Sequence, residues 1–258
     1  MGRKKKDGRR NGPPVLSPDS RLHSAKIESI TVGGVTVPQE NAWATLAGVV
    51  RTEDGQLLSF PHPHIPSFYL TEAKRMRDKG RKDLHHCLKH TKSGGSIGGR
   101  QITTQKTAVD AIGSLAIAVL LAAASLEALA NECISLLDDE ATVTVKRRKE
   151  LVDVDKNHME RTLSVEEKFD LVVPLVSERS SIKGTTAWET LQRLIHIRNE
   201  IVHVKNRGQS QDPDDPSVFG QMILGQTLEC IEDAVEVVEA AHPTAIMELA
   251  RTELGFAN

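Results

Sequence analysis

Three side chains in one short stretch, Arg198, Asn199 and His203, carry the residue types from which phosphate chemistry can be built. An arginine keeps its charge at any working pH, and its planar fork can hold two oxygens of one anion. A histidine has an unperturbed pKa of about 6.5 and exchanges protons near neutrality. Wound as a helix at about 100° per residue, residues 191–204 group Leu191, Leu194, Ile195, Ile201 and Val202 on one face, with Arg198 near the middle of that arc. A guanidinium among apolar neighbours requires an anion: either a carboxylate of the same fold, with Glu127 and Glu132 upstream as candidates, or a phosphate that arrives. Asn199 and His203 are four apart and neighbour each other on one edge of the stripe. Arg198 and His203 are five apart and share no narrow face, so either Arg198 reaches round or a second copy of the helix completes the site. His196 falls on the polar side and is expected to be exposed.

The elements that must position this stretch are mainly helical. From Thr104 onward, Ile112, Leu115, Val119, Ala122, Leu126, Leu129 and Cys133 follow a three-four spacing, and the intervening alanines allow close helix approach. This long helix suits the centre of a bundle or a dimer seam. Asp138-Asp139-Glu140 closes it, and Lys146-Arg147-Arg148-Lys149 follows as a charged, exposed connection. Ser164 with Glu167 and Thr186 with Glu189 fit the capping box, which places helix starts near 165 and 187. Residues 208–216 form a loop rich in Asp and Pro. Residues 218–241 make one further amphipathic helix, broken by His242-Pro243 before a short terminal helix.

Ahead of the helices the composition changes. Residues 1–24 hold Lys4-Lys5-Lys6 and Arg9-Arg10 among prolines and few apolar side chains, which predicts a disordered basic tail. Residues 25–68 predict a small β-rich module, with one hairpin around Gly33-Gly34 and a second around Asp54-Gly55. Residues 61–66, with three prolines, predict a rigid linker. Residues 71–90 make a basic helix, and the glycine-rich run after it, lacking the Gly-Lys-Ser/Thr ending of a phosphate loop, predicts a flexible connection. The expected divisions are thus 1–24, 25–68, 69–103 and 104–258.

The run from Arg198 to His203 resembles the Arg, polar residue, three variable residues, His signature of HEPN-superfamily ribonucleases. The Leu/Ile-rich lead-in and the Ala-rich helix containing residues 125–132 strengthen the likeness, which covers roughly residues 104–250. The resemblance implies an antiparallel HEPN-like helical bundle with the β-rich segment as an N-terminal extension. It implies a metal-independent endoribonuclease, without cofactor, in which the 2′-hydroxyl attacks the neighbouring phosphate and leaves a 2′,3′-cyclic phosphate. Arg198 would stabilise the charge that builds on the phosphate, His203 would move the proton, and Asn199 would orient the imidazole or the phosphate. It further implies a homodimer with a composite site, and a toxin or antiviral effector restrained by an antitoxin or regulatory partner. A binding module is the alternative: a catalytically silent helical dimer that presents basic surfaces to RNA or protein.

Net charge is −2, but residues 1–106 carry 19 Lys and Arg against 9 Asp and Glu, whereas 107–258 carry 14 against 26. The basic arm suits RNA or else pairs with the acidic body. Lys74, Arg75, Arg77, Arg81 and Lys82, with Lys146, Arg147 and Arg148, are the candidate RNA contacts. Cys87, Cys133 and Cys230 form no CxxC pair, which argues against a disulfide framework and for a reducing cytoplasm. His85, His86, Cys87 and His90, with His62 and His64 upstream, have no established zinc-ligand spacing, so no metal is expected. The longest uncharged run, 111–126, is 16 residues, short of the roughly 20 that a membrane span needs.

Overall fold

A computed structural model describes residues 19–22, 24–32, 35–91, 99–102, 104–203, 216–246 and 248–255. The chain is mainly helical with a few small antiparallel hairpins, and its axis is the 32-residue α2 (Gln105–Leu136). Ala118, Val119, Ala122, Leu126 and Ala130 of α2 are completely buried. Four kinds of neighbour meet it: α1 (Ile65–Cys87) runs along it, α6 (Thr186–Val202) and α8 (Cys230–Ala241) pack across it, and the short helices α3 (Lys156–Thr162), α4 (Val165–Leu171), α5 (Val173–Ser177) and α7 (Val218–Ile223) fill the sides. The helix α9 (Glu248–Leu254) closes the described chain against α1. By length and composition α2 could cross a membrane, and half of its most apolar window is buried inside this fold.

Small residues set the spacing between α1 and α2. A Cβ placed on Gly80 would lie 2.7 Å from Leu115 Cγ and 3.1 Å from the Ala111 carbonyl oxygen. Leu115 is itself 1% exposed, so it has little room to yield. Gly80→Val is therefore expected to destabilise the fold by about 1–3 kcal/mol, read as a lower urea midpoint with unchanged slope. A midpoint equal to the parent's would show that the two helices separate freely here.

The described strands pair as β1 (Ser24–Val32) with β2 (Val35–Thr45), β3 (Ala47–Arg51) with β4 (Leu57–Pro61), β5 (Leu88–Thr91) with β6 (Gly99–Ile102), and β7 (Thr142–Arg147) with β8 (Glu150–Asp155). The first two hairpins stand where Gly33-Gly34 and Asp54-Gly55 predict them, and Gly55 adopts φ +84° in its turn.

Several expectations are corrected. Residues 19–22 do not belong to a featureless tail, because Arg21 pairs with Asp19 and with Glu72 of α1. Residues 1–18, with the lysine and arginine clusters, lie outside the described residues, as do most of the glycine-rich run and residues 204–215, on which most of the expected Asp/Pro-rich loop falls. Residues 61–66 are no linker: Pro61 ends β4, His64 caps α1, and Pro66 occupies its first turn, where a missing N–H costs nothing. The basic helix expected over 71–90 ends at Cys87, so His86 lies on α1 and His90 on strand β5. Residues 146–149 are no open connection: Lys146 and Arg147 end strand β7, and Arg148 and Lys149 form the hairpin turn, with Arg148 at φ 54°. The cap of α6 is Thr185, not Thr186: its hydroxyl accepts from the Trp188 amide at 3.4 Å. The helix expected over 218–241 is two, α7 and α8, separated by a turn in which Gly225 has φ +81°.

Candidate functional site

Helix α6 delivers Arg198, Asn199 and His203 at its C-terminal end. Its buried side is formed by Ala187, Thr190, Leu191, Leu194 and Ile195. Toward the end the burial fades, with Ile197 and Ile201 half-buried and Val202 51% exposed. The apolar arc is therefore narrower than its periodicity suggests, and Arg198 sits on its rim with 37% of its side chain exposed rather than in its middle. The last turn closes through the His203 amide, which donates to the Asn199 carbonyl oxygen at 2.8 Å. His203 is the C-cap, with φ −111° and ψ 60°, so the chain leaves the helix there and the imidazole is exposed.

The side chains divide their contacts unevenly. Arg198 Nη1 donates to Asn199 Oδ1 at 2.8 Å, so the amide orients the guanidinium, not the imidazole ring as its i,i+4 spacing had allowed. Arg198 Nη2 stands 3.9 Å from Glu127 Oε2 on α2. Both partners of that pair are more than a third exposed, which limits it to about 0–1 kcal/mol. Glu132, the other carboxylate considered, faces the buried His64 instead, at 3.2 Å from Nε2. Among the described residues no hydrogen bond or ion pair holds the His203 imidazole. His196 is on the polar face, 3.7 Å from Glu200.

Behind Glu127 lies a residue that the sequence reading passed over. Lys168 of α4 is 1% exposed, and its ammonium donates to Asn131 Oδ1 at 2.7 Å and to the Glu160 carbonyl oxygen at 3.0 Å. Burial lowers its pKa, while the charges of Glu127 and Glu160 oppose that shift. Its signal was present: Val165, Lys168, Phe169 and Val172 follow helical spacing, a cation on an apolar stripe of the kind that drew attention to Arg198.

The eight basic candidates separate into held and open groups. Lys74 lies 3.9 Å from Asp78, Arg75 pairs with Glu72 at 2.8 Å, and Arg77 bridges Asp78 at 2.9 Å and Glu232 at 2.5 Å. Arg147 is held by the Glu167 carboxylate, whose Oε2 accepts at 2.9 Å, and by the Thr162 carbonyl oxygen at 3.0 Å. This hydrogen bond to Glu167 raises the arginine's pKa and lowers the carboxylate's. Arg81, Lys82, Lys146 and Arg148 are exposed and have no carboxylate partner among the described residues. Arg147→Ala should therefore lower stability slightly and leave RNA affinity within about twofold, while Arg148→Glu should leave stability unchanged and weaken RNA binding. Urea melts and RNA titrations of the two variants read this directly. An RNA affinity that falls with Arg147→Ala alone would reverse the assignment.

Cys133 and Cys230 offer no nucleophile. Burial pushes Cys133 up to about 12, helped by the Glu132 charge, and pushes Cys230 up to about 12 against the opposing charge of Arg77. Both remain protonated at neutral pH. Among the described residues no group of three or more His, Cys, Asp or Glu side chains is placed to hold a metal ion. The chain matches no protein-family model, no curated protein and no solved structure.

Proposed function

We propose that this chain is a metal-independent endoribonuclease with a HEPN-like helical domain, and that Arg198, Asn199 and His203 form its working set. The observation that carries the reading is their placement: a guanidinium oriented by Asn199 and only loosely met by Glu127, one turn from an exposed imidazole with no side-chain partner among the described residues. A guanidinium so placed can take the two non-bridging oxygens of a phosphate, and the imidazole can remove the 2′-hydroxyl proton or return one to the leaving 5′-oxygen.

A homodimer is part of the proposal. Wound at 100° per residue, Val109, Gly113, Ile117, Ala124 and Glu127 fall within an arc of about 80° on α2. Val109 is 66% exposed and Ile117 46% exposed. Exposed apolar side chains thus share a helix face with the carboxylate that meets Arg198, and Val202 adds to them from α6. A second copy docked on this face would bring a second Arg198 and His203 close to the first, which meets their five-residue offset.

The test is incubation of the purified chain with a mixed RNA pool in excess EDTA. The proposal predicts endonucleolytic fragments that scale with enzyme. A folded, dimeric chain that leaves every RNA intact would point to the binding module.

A further inference from the structure

A groove opens between the C-terminal half of α1 and the turn that joins α7 to α8, with a volume of about 770 Å³. It is lined by Arg81, Lys82 and His85 of α1 and by Leu88, Leu224 and Leu228 among others. Leu224 is 61% exposed, an apolar side chain facing water at the mouth. The charged and imidazole side chains of the lining all come from α1, while Ile223, Leu224 and Leu228 come from the end of α7 and the turn after it. The acidic group at the edge, Asp78, already accepts from Arg77 at 2.9 Å. Arg81 and Lys82 have no carboxylate partner among the described residues, in contrast to Lys74, Arg75 and Arg77 one and two turns earlier on the same helix.

Cationic and apolar side chains lining one groove are complementary to a ligand with a flat, weakly polar body and a phosphate, and the volume lies in the range of small-ligand sites. A nucleotide has that make-up. The groove adjoins the candidate site: Leu84, which lines it, belongs to the same apolar cluster as Ile197 and Ile201 of α6 on either side of Arg198. We propose that this groove binds single-stranded RNA, with backbone phosphate at Arg81 and Lys82 and a base against Leu88, Leu224 and Leu228, so that the strand is held beside the end of α6. The assignment rests on the ribonuclease reading only for the identity of the strand as substrate. The binding itself is independent of cleavage.

The experiment is fluorescence anisotropy of a labelled single-stranded RNA of about 12 nucleotides, with the full chain carrying His203→Ala to prevent turnover. Arg81→Glu/Lys82→Glu in that background should weaken binding at least about 10-fold near 0.1 M salt and flatten the salt dependence by about one to two phosphate contacts. Leu224→Asp, at an exposed position that the fold does not depend on, should weaken binding while the number of phosphate contacts read from the salt slope stays the same. Unchanged affinity in the Arg81/Lys82 variant, or no RNA binding by the parent, overturns the proposal. Competition by free 5′-mononucleotides as effective as by the oligonucleotide assigns the groove to a soluble nucleotide and overturns the RNA strand. Capture of anionic vesicles in place of RNA overturns it in favour of a membrane surface. If the wild type cleaves RNA while the Arg81/Lys82 variant binds normally, the groove falls and the nuclease stands. If binding is lost as expected but the wild type never cleaves, the groove stands and the nuclease falls.

Discussion

His203→Ala and Arg198→Ala are each expected to lower RNA cleavage by at least about 100-fold while leaving the fold intact. The histidine figure follows from the worth of a positioned general acid or base, roughly 10²–10⁴ in rate. The arginine figure follows from the loss of a charged donor aimed at phosphate oxygens, for which removing a single comparable donor costs about 10²–10³. Neither change should cost much stability. Arg198 is more than a third exposed and its ion pair with Glu127 is long at 3.9 Å, while the His203 imidazole is exposed at a helix end. Arg198→Lys should remain strongly impaired, because an ammonium keeps the charge and loses the fork that grips two oxygens. Mixing the Arg198→Ala and His203→Ala chains distinguishes a composite site from a self-contained one. If one chain supplies the arginine and its partner the histidine, the mixture regains part of the wild-type rate. A mixture as inactive as its components would place both groups from one chain in each site.

Lys168→Ala is expected to be the costliest change for stability, about 2–4 kcal/mol. The side chain is 1% exposed and ties Asn131 of α2 to the Glu160 carbonyl oxygen near the end of α3. Its removal leaves two acceptors unpaired and a cavity between α2 and α4. Lys168→Met fills most of that volume without the buried charge, so its loss should be smaller. The two variants therefore separate packing from polar satisfaction. The pH response has a definite sign: burial holds the folded lysine below its ordinary 10.5, so the parent gains stability as pH rises toward that value and loses it on the way down. Lys168→Met should lack this rise. A Lys168→Ala chain within about 0.5 kcal/mol of the parent in urea would mean that Asn131 and Glu160 find other partners.

The reach of the sequence was set by how far local chemistry decided structure. The core helix was legible because small and large apolar residues kept one period from Ala111 to Cys133, and α2 buries that face. The first two hairpins were legible because Gly-Gly and Asp-Gly turns need conformations that few other residues reach. The hairpin β7–β8 was hidden by its own turn, where Arg148 takes a positive φ without being glycine, although Val143 and Val145 alternate with exposed Thr142 and Thr144. The break between α7 and α8 was hidden because the apolar period runs through it, and Gly225 alone marks the bend. At the site, the residue types and their helix were legible. The direction of the Asn199 side chain, the reach of Glu127 and the burial of Lys168 were not, since they depend on contacts between helices far apart in sequence. The sequence likewise could not rank the basic residues, because Arg77 is held by the distant Glu232.

The most direct measurement is the chemistry of the new RNA ends made by the wild-type chain in excess EDTA, with the His203→Ala chain beside it. Attack by the 2′-hydroxyl predicts 2′,3′-cyclic phosphate and 5′-hydroxyl ends from the wild type and almost none from the variant. Products with 3′-hydroxyl and 5′-phosphate ends, or cleavage that survives His203→Ala, would contradict the assignment of Arg198 and His203 as the reacting pair.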